Sequence, residues 1–182
     1  MKRLIVGMVC GLLALSSVLV FDARGAQQEG FSIPGARVAD VIDAEGQVIG
    51  HVAIAPGDTE VGGVLLVEGL TLGEHGVHLH SVGKCDPEGE KPFDSAGSHF
   101  NPGNMHHGEH SGDLGNLTVD ESGTAAFSFG SSTWTLDDGM FGLADEDGTA
   151  IVIHETVDDL VTDPSGNSGA RIACAVLVPP AS

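Results

Sequence analysis

Nine histidines stand beside only seven lysines and arginines in this chain, and their spacing favours metal binding. His78 and His80 are separated by one residue in a run of β-formers, so on a strand both imidazoles would lie on one face. His154 ends a second apolar run, Ala150–Ile153. Between them lies a loop-like stretch with five further donors: His99, His106, His107, His110 and Asp113. Nitrogen donors with one carboxylate suit a tetrahedral zinc ion.

Each histidine group also has an ordinary structural explanation when taken alone. A histidine pair on an edge strand is often only solvated, and a histidine-rich loop can be a surface tract with adventitious metal affinity. The three groups occur together with a carboxylate, however, in a chain of 182 residues. This combination favours a dedicated metal centre.

The elements that must position these residues are short strands. Runs of β-formers alternate with Gly, Asp, Asn and Pro, and no segment holds a helical apolar period. The fold class is therefore all-β, an antiparallel sandwich or barrel. Two connections, 81–115 and 156–170, are too long for hairpins and are expected to be functional loops. The eight predicted strands are 36–42, 47–55, 61–70, 76–80, 116–119, 125–136, 149–155 and 171–178.

The charge balance excludes several classes of partner. The chain has 26 acidic and 7 basic residues, a net charge of −19, whereas nucleic acids and anionic membranes require clustered Lys and Arg. The hydrophobic fraction of 41% argues against disorder, and 27 glycines with few aromatics fit a small-residue β-core with many turns. The length favours one domain.

The N-terminus predicts export. Lys2 and Arg3 precede an apolar run and then small residues, so 1–26 is predicted to be a signal peptide cleaved after Gly25 or Ala26. An uncleaved anchor is the alternative, because the run approaches the length that spans a bilayer. Residues 27–34 would be a flexible N-terminal segment and 35–182 the domain. The destination would be periplasmic, cell-envelope or extracellular.

Cleavage would also change the cysteine count. It would remove Cys10 and leave Cys85 and Cys174, an even pair in an oxidising compartment. A disulfide is the expected state, and two buried free thiols are the alternative. The cleaved chain would keep 4 basic and 25 acidic residues, a net charge of −21.

Five sequence blocks together resemble the copper,zinc superoxide dismutase family, bacterial and exported in type. They run in order over nearly the whole chain after residue 34: Gly73–His80, Ser95–Pro102, Gly112–Asn116, Val152–Glu155 and Gly166–Cys174. The resemblance implies an eight-stranded antiparallel Greek-key β-barrel with two long functional loops. It further implies an enzyme that converts superoxide to dioxygen and hydrogen peroxide.

The resemblance also implies one copper and one zinc ion per chain. The expected copper ligands are His78, His80, His99 and His154, and the expected zinc ligands are His99, His107, His110 and Asp113. His99 would bridge the two ions and act in catalysis as a proton carrier. Because a bridging imidazole must lose both ring protons, two cations are the natural partners of such a ring.

Two further residues carry roles by resemblance. Arg171 would sit beside copper and hydrogen-bond superoxide. Asp158 would join a copper histidine to a zinc histidine, His78 and His107, and so fix the orientation of both rings. His75 is expected to be structural and His51 an ordinary strand residue.

The chain departs from the family pattern in two places. Only two residues separate His107 from His110, so His106 competes with His107 for the zinc role. Residues 155–170 contain four acidic residues and no lysine or arginine, which leaves Lys84 and Lys91 in the first loop. Long-range attraction of superoxide is therefore expected to be weak or reversed.

The expected partner is superoxide, with no nucleic acid and no membrane after signal cleavage; a homodimer is left open. Two other functions remain to be weighed. One is a non-catalytic copper or zinc binding or delivery module on the same fold, which the presence of every copper position and of Arg171 disfavours. The other is a zinc-only structural protein whose acidity serves adhesion or solubility.

Overall fold

Eight strands form where apolar and small or polar residues alternate. The structure is a computed structural model that describes residues 35–181, so the predicted signal peptide and the segment 27–34 lie outside the described residues. The strands are β1 (Arg37–Asp43), β2 (Val48–Pro56), β3 (Val61–Glu68), β4 (Gly73–His80), β5 (Asp113–Val119), β6 (Thr124–Ser131), β7 (Thr149–His154) and β8 (Arg171–Val178).

All the strands join one antiparallel sheet in the order β5-β4-β7-β8-β1-β2-β3-β6. The two outer strands, β5 and β6, are consecutive in the chain and are connected by a tight turn at Asp120–Gly123, so the sheet curls into a nearly closed barrel. The chain crosses the barrel between β3 and β4 and again between β6 and β7. The predicted all-β Greek-key barrel is confirmed.

Strands β4 and β7 sort their side chains by the period of two. Val77 and Leu79 are fully buried in the barrel core, as are Ile151 and Ile153. The alternate positions therefore point away from the barrel interior, and these carry His78 and His80 of β4 and His154 of β7. Register shifts at Val77/His78 and at Ile153/His154 mark β-bulges beside the histidines.

Two loops cover this outer face of the barrel. The loop 81–112 contains a 3₁₀ turn, Asp94–Ala96, and the loop 155–170 packs against β4 through a 2.9 Å hydrogen bond from Gly76 N–H to Thr156 O. A small second core lies between the first loop and the sheet. Its buried members are Phe93, Ala96, Ala150, Val152 and Cys174.

The predicted disulfide is present, since Cys85 and Cys174 are bonded with their Cα atoms 5.7 Å apart. It ties the first loop to the outer side of β8, next to the second core. Within residues 35–181 no helix is long and apolar enough to cross a membrane.

One predicted strand is too long. β6 ends at Ser131, five residues before the expected end, so 132–148 forms a third long connection. The apolar residues that extended the prediction are buried for other reasons. Trp134 donates its indole N–H to Ser111 O at 3.0 Å, and Leu136 is half-buried against the barrel core.

Candidate metal centre

Four histidines converge on the outer face of the sheet. One ring nitrogen each from His78, His80, His99 and His154 lies within 4.8 Å of the others, and all four residues are buried. His78 and His80 come from β4 and His154 from β7, while His99 reaches the group from the first loop through an isolated bridge with His80. Three elements that are distant in sequence therefore meet at one point.

Hydrogen bonds on the outer side of these rings fix which nitrogen carries the proton. His78 Nε2–H donates to Asp158 Oδ2 at 2.8 Å, and His80 Nδ1–H donates to Gly97 O at 3.0 Å. His154 Nδ1–H faces Gly169 O at 3.4 Å. The remaining nitrogen of each ring is thus a bare lone pair directed into the group.

The inward nitrogens have no hydrogen-bond partner among the described residues. They are His78 Nδ1, His80 Nε2, His99 Nε2, His107 Nδ1 and His154 Nε2. An unpaired buried acceptor costs free energy, and five that converge are most simply explained by cations. The donor set fits copper, because imidazole suits both of its common oxidation states.

A second group adjoins the first through His99. It consists of His99, His107, His110 and Asp113. Asp113 Oδ1 lies 2.9, 3.1 and 3.3 Å from the Nδ1 atoms of His99, His110 and His107. Four ligands around a tetrahedral zinc ion with bonds near 2.0 Å stand about 3.3 Å apart. The group therefore has the size and the chemistry of a zinc site.

The Asp158 carboxylate joins the two groups from behind. It is buried and accepts His78 Nε2–H on one oxygen and His107 Nε2–H on the other, both at 2.8 Å. Asn116 holds this aspartate at the backbone, accepting from Asp158 N–H at 2.7 Å and donating to Asp158 O at 2.9 Å. One carboxylate thus orients a ring in each group.

The two adjacent histidines of the first loop differ sharply. His107 is 4% exposed and lies in the second group. The His106 side chain is 91% exposed and donates from Nδ1 to Asp163 Oδ2 at 2.9 Å. The structure therefore brings His107, and not His106, to the other zinc candidates.

His75 and His51 lie apart from the two histidine groups. His75 is buried, but its Nδ1 lies 2.8 Å from His154 O, and its Nε2 lies 2.9 Å from Thr71 O and 3.3 Å from Thr71 Oγ1. His51 is exposed on β2 and pairs with Asp40 at 2.9 Å. Neither residue belongs to a candidate metal group.

Burial keeps the rings of His78, His80 and His154 neutral. It is the main cause that lowers the pKa of His78 from 6.5 to about 2 and that of His154 to about 4, and it holds the pKa of His80 well below its usual range. For Asp113 burial raises the pKa, but hydrogen bonds from His99 and Gly108 outweigh it and keep the carboxyl ionised. Neutral imidazoles and a carboxylate are the forms that bind metal ions.

A pocket of about 800 Å³ leads to the first group. His80, His99 and His154 form part of its wall, together with Arg171. The Arg171 guanidinium donates to Phe93 O and to Gly97 O, both at 2.6 Å. The other charged residues of the wall are Lys91, Asp94 and Glu155.

The sequence did not assign roles to three residues that support the site. Gly97 accepts from both His80 and Arg171, and Asn116 holds Asp158. Gly166 has a φ of 62°, and a Cβ there would lie 2.6 Å from His107 Nε2 and would contact Asp158 Oδ1. All three belong to the sequence blocks that resemble the family, so the resemblance was the signal that could have identified them.

Gly166→Ala is expected to separate Asp158 from His107. Gly69→Ala is a matched control, because Gly69 also has positive φ, 80°, but a Cβ there meets nothing within 4 Å. The Gly166 variant should lose roughly 1–3 kcal/mol more unfolding free energy than the control. Urea unfolding of the metal-free proteins measures the difference, and equal losses would contradict the close packing at Gly166.

Comparisons with known proteins agree with this geometry. The family model of copper/zinc superoxide dismutase (SODC) matches residues 48–177. A superoxide dismutase (Cu–Zn) of Deinococcus radiodurans is 36% identical over 152 residues, which cover 76% of this chain and 81% of that protein. Superoxide dismutase (Cu–Zn) 1 of Aquifex aeolicus is 37% identical over 149 residues, covering 76% of this chain and 85% of that protein.

Solved structures give the same result. A double mutant of a superoxide dismutase-like protein from Bacillus subtilis superposes with a TM-score of 0.72 at 37% identity, covering 78% of this chain and 96% of that one. The Cu/Zn superoxide dismutase of Brucella abortus gives a TM-score of 0.62 at 26% identity, covering 78% and 99% of the two chains. The chain belongs to the copper/zinc superoxide dismutase family.

Proposed function

We propose that this protein is exported and disproportionates superoxide at a copper ion held by His78, His80, His99 and His154. His99 would share its ring with a zinc ion held also by His107, His110 and Asp113. Membership of the family makes the chain a superoxide dismutase, an oxidoreductase with copper and zinc as cofactors.

The observation that carries the ligand assignment is the set of unpaired inward nitrogens. Each has a lone pair, each is buried, and the outer nitrogen of His78, His80, His107 and His154 already faces an acceptor. His99 is the ring common to both groups, with Nε2 in the first and Nδ1 beside Asp113 in the second. This position supports its role as the bridge.

The reaction consumes two superoxide anions and two protons and yields dioxygen and hydrogen peroxide. Bound copper supplies the one-electron chemistry, and bound zinc supplies a fixed positive charge. Arg171 lies in the pocket wall with its guanidinium held by two carbonyls, so it can orient a small anion without a large loss of side-chain entropy.

Proton delivery falls to His99 in this proposal. Its Nε2 takes up a proton in one half-reaction and releases it to the reduced oxygen species in the other. His99 Nδ1 lies 2.9 Å from Asp113 Oδ1, and the zinc ion that both residues would bind would keep the ring in place during the transfer. The position of His99 in the pocket wall gives this proton a direct path to the substrate.

Export is supported by two independent features. Lys2, Arg3 and the apolar run after them have the pattern of a signal peptide. The disulfide between Cys85 and Cys174 is of the kind that persists in oxidising compartments. We propose a periplasmic, cell-envelope or extracellular location.

The catalytic residues in this proposal are Arg171 and His99.

His99→Ala is expected to remove the shared ligand and the proton carrier together. Dismutation should fall by at least about 100-fold, and zinc content should fall below one ion per chain. A superoxide assay and elemental analysis of the same sample measure both effects. His51→Ala, on the exposed outer face of β2, is the control and should match the wild type in both. A fully active, zinc-replete His99 variant would refute the bridge.

The metal-free protein is expected to lose stability as the pH falls from 7 to 5, a pH range above that in which carboxylates titrate. His78 and His154 have folded pKa values near 2 and 4 against 6.5 when unfolded, so the unfolded chain binds more protons as the pH falls below 6.5. Each should remove about 2 kcal/mol of unfolding free energy between pH 7 and pH 5.

Urea unfolding of the EDTA-treated protein at pH 7, 6 and 5 tests this dependence. His154→Gln should lose about half of the pH effect that the two rings produce. His51→Gln, whose ring is exposed, should keep all of it. Equal stability of the metal-free protein at pH 7 and pH 5 would show that the rings are not held neutral.

Salt is expected to leave the second-order rate of dismutation unchanged or to raise it. Residues 155–170 carry Glu155, Asp158, Asp159 and Asp163 and no basic residue, so screening removes mainly repulsion of superoxide. Pulse radiolysis from about 10 to 200 mM ionic strength measures the trend. Lys91→Gln should make the rise steeper, whereas a steep fall in the wild type would contradict the proposal.

A further inference from the structure

We propose that Phe93 is the positioning residue that fixes Arg171 beside the first histidine group. Phe93 is fully buried, yet its backbone has φ 63° and ψ 15°, the left-handed conformation. A bulky side chain avoids this region, and residues forced into it often mark functional sites. The conformation therefore needs a cause in the surroundings of Phe93.

The left-handed backbone aims the Phe93 carbonyl at the arginine. Phe93 O accepts Arg171 Nη1–H at 2.6 Å and Ala96 N–H at 3.0 Å, while Phe93 N–H donates to Asp86 O at 2.8 Å. The second guanidinium nitrogen, Nη2, donates to Gly97 O at 2.6 Å. The planar guanidinium thus spans the two ends of the 3₁₀ turn Asp94–Ala96.

The same turn is linked to the metal centre. Gly97 O also accepts His80 Nδ1–H at 3.0 Å, so Arg171 and His80 share one acceptor. A displacement of the turn would move the guanidinium relative to the histidine group. In the proposed function Arg171 binds the superoxide anion. The position of the turn therefore sets the distance between the guanidinium and that anion.

The Phe93 ring anchors the turn. It is fully buried in the second core with Val152, Ala96 and Cys174, the last bonded to Cys85. Burial of this large apolar side chain offsets the strain of the left-handed backbone. Glycine at this position would relieve the strain but would remove the anchor.

Phe93 acts only through Arg171. Arg171 lines the pocket, whereas Phe93 is not part of the pocket wall. Loss of the ring should therefore loosen the guanidinium without changing a group that contacts substrate. The inference rests on the proposed role of Arg171 as the anion-binding residue.

The first measurement needs no metal. In the metal-free, ¹⁵N-arginine-labelled full chain, which has four arginines, the Arg171 guanidinium signal is identified by its loss in Arg171→Lys. We expect its Nη protons to exchange about tenfold faster in Phe93→Gly and about threefold faster in Phe93→Leu, which keeps an apolar side chain. Leu65→Ala, a core truncation on β3, is the control for general destabilisation and should match the wild type.

The second measurement uses azide, a small monoanion, with the copper- and zinc-loaded proteins. Its dissociation constant, followed by visible absorbance, should rise about tenfold in Phe93→Gly and about threefold in Phe93→Leu, but stay unchanged in Leu65→Ala. Wild-type exchange and affinity in either Phe93 variant, or equal changes in Leu65→Ala, would overturn the inference.

The two measurements also separate the inference from the function on which it rests. Unchanged azide affinity in Arg171→Lys, with faster guanidinium exchange in Phe93→Gly, would defeat the anion-binding role of Arg171 and leave the positioning role of Phe93 in place. Weaker azide binding in Arg171→Lys with wild-type behaviour in both Phe93 variants would leave the anion-binding role of Arg171 in place and defeat the positioning role of Phe93.

Discussion

The central constraint on this structure is that five imidazole nitrogens must remain unprotonated, unpaired and close together inside the protein. Buried acceptors without partners are unfavourable, and neighbouring rings cannot all carry protons without repulsion. The fold satisfies this constraint with hydrogen-bond acceptors that surround the cluster. Gly97 O, Gly169 O and the Asp158 carboxylate engage the outer nitrogens of His80, His154, His78 and His107, so the protons of these four rings face away from the centre.

Asp158 shows how this constraint couples distant parts of the chain. Its two oxygens contact His78 on β4 and His107 in the first loop, whereas its own backbone belongs to the second loop and is held by Asn116 on β5. The lack of a side chain at Gly76 and Gly166 lets the second loop approach closely enough for these contacts. The positions of the histidine rings in both groups therefore depend on how closely the two loops pack against the barrel.

Sequence reasoning succeeded where a local period decides the outcome. The alternation in β4 places His78 and His80 opposite Val77 and Leu79, as a strand must. It was less effective where contacts are long-range: Asn116 lies 42 residues from Asp158, and Phe93 lies 78 residues from Arg171. The end of β6 was misplaced for the same reason, because Trp134 is buried by contact with another loop and not by strand pairing.

The acidity of the chain raises a question that only the site geometry can answer. A net charge of −19 repels an anion at long range, but at physiological ionic strength charges farther than about 8–10 Å are largely screened. At short range the pocket wall is balanced, with Lys91 and Arg171 against Asp94 and Glu155, before any metal ion is counted. Two divalent cations at the end of this pocket would make it locally positive, and in our proposal Arg171, held by two carbonyls, would then orient the anion. Global charge therefore lowers the arrival rate of superoxide mainly at low ionic strength, whereas the local arrangement sets whether superoxide binds.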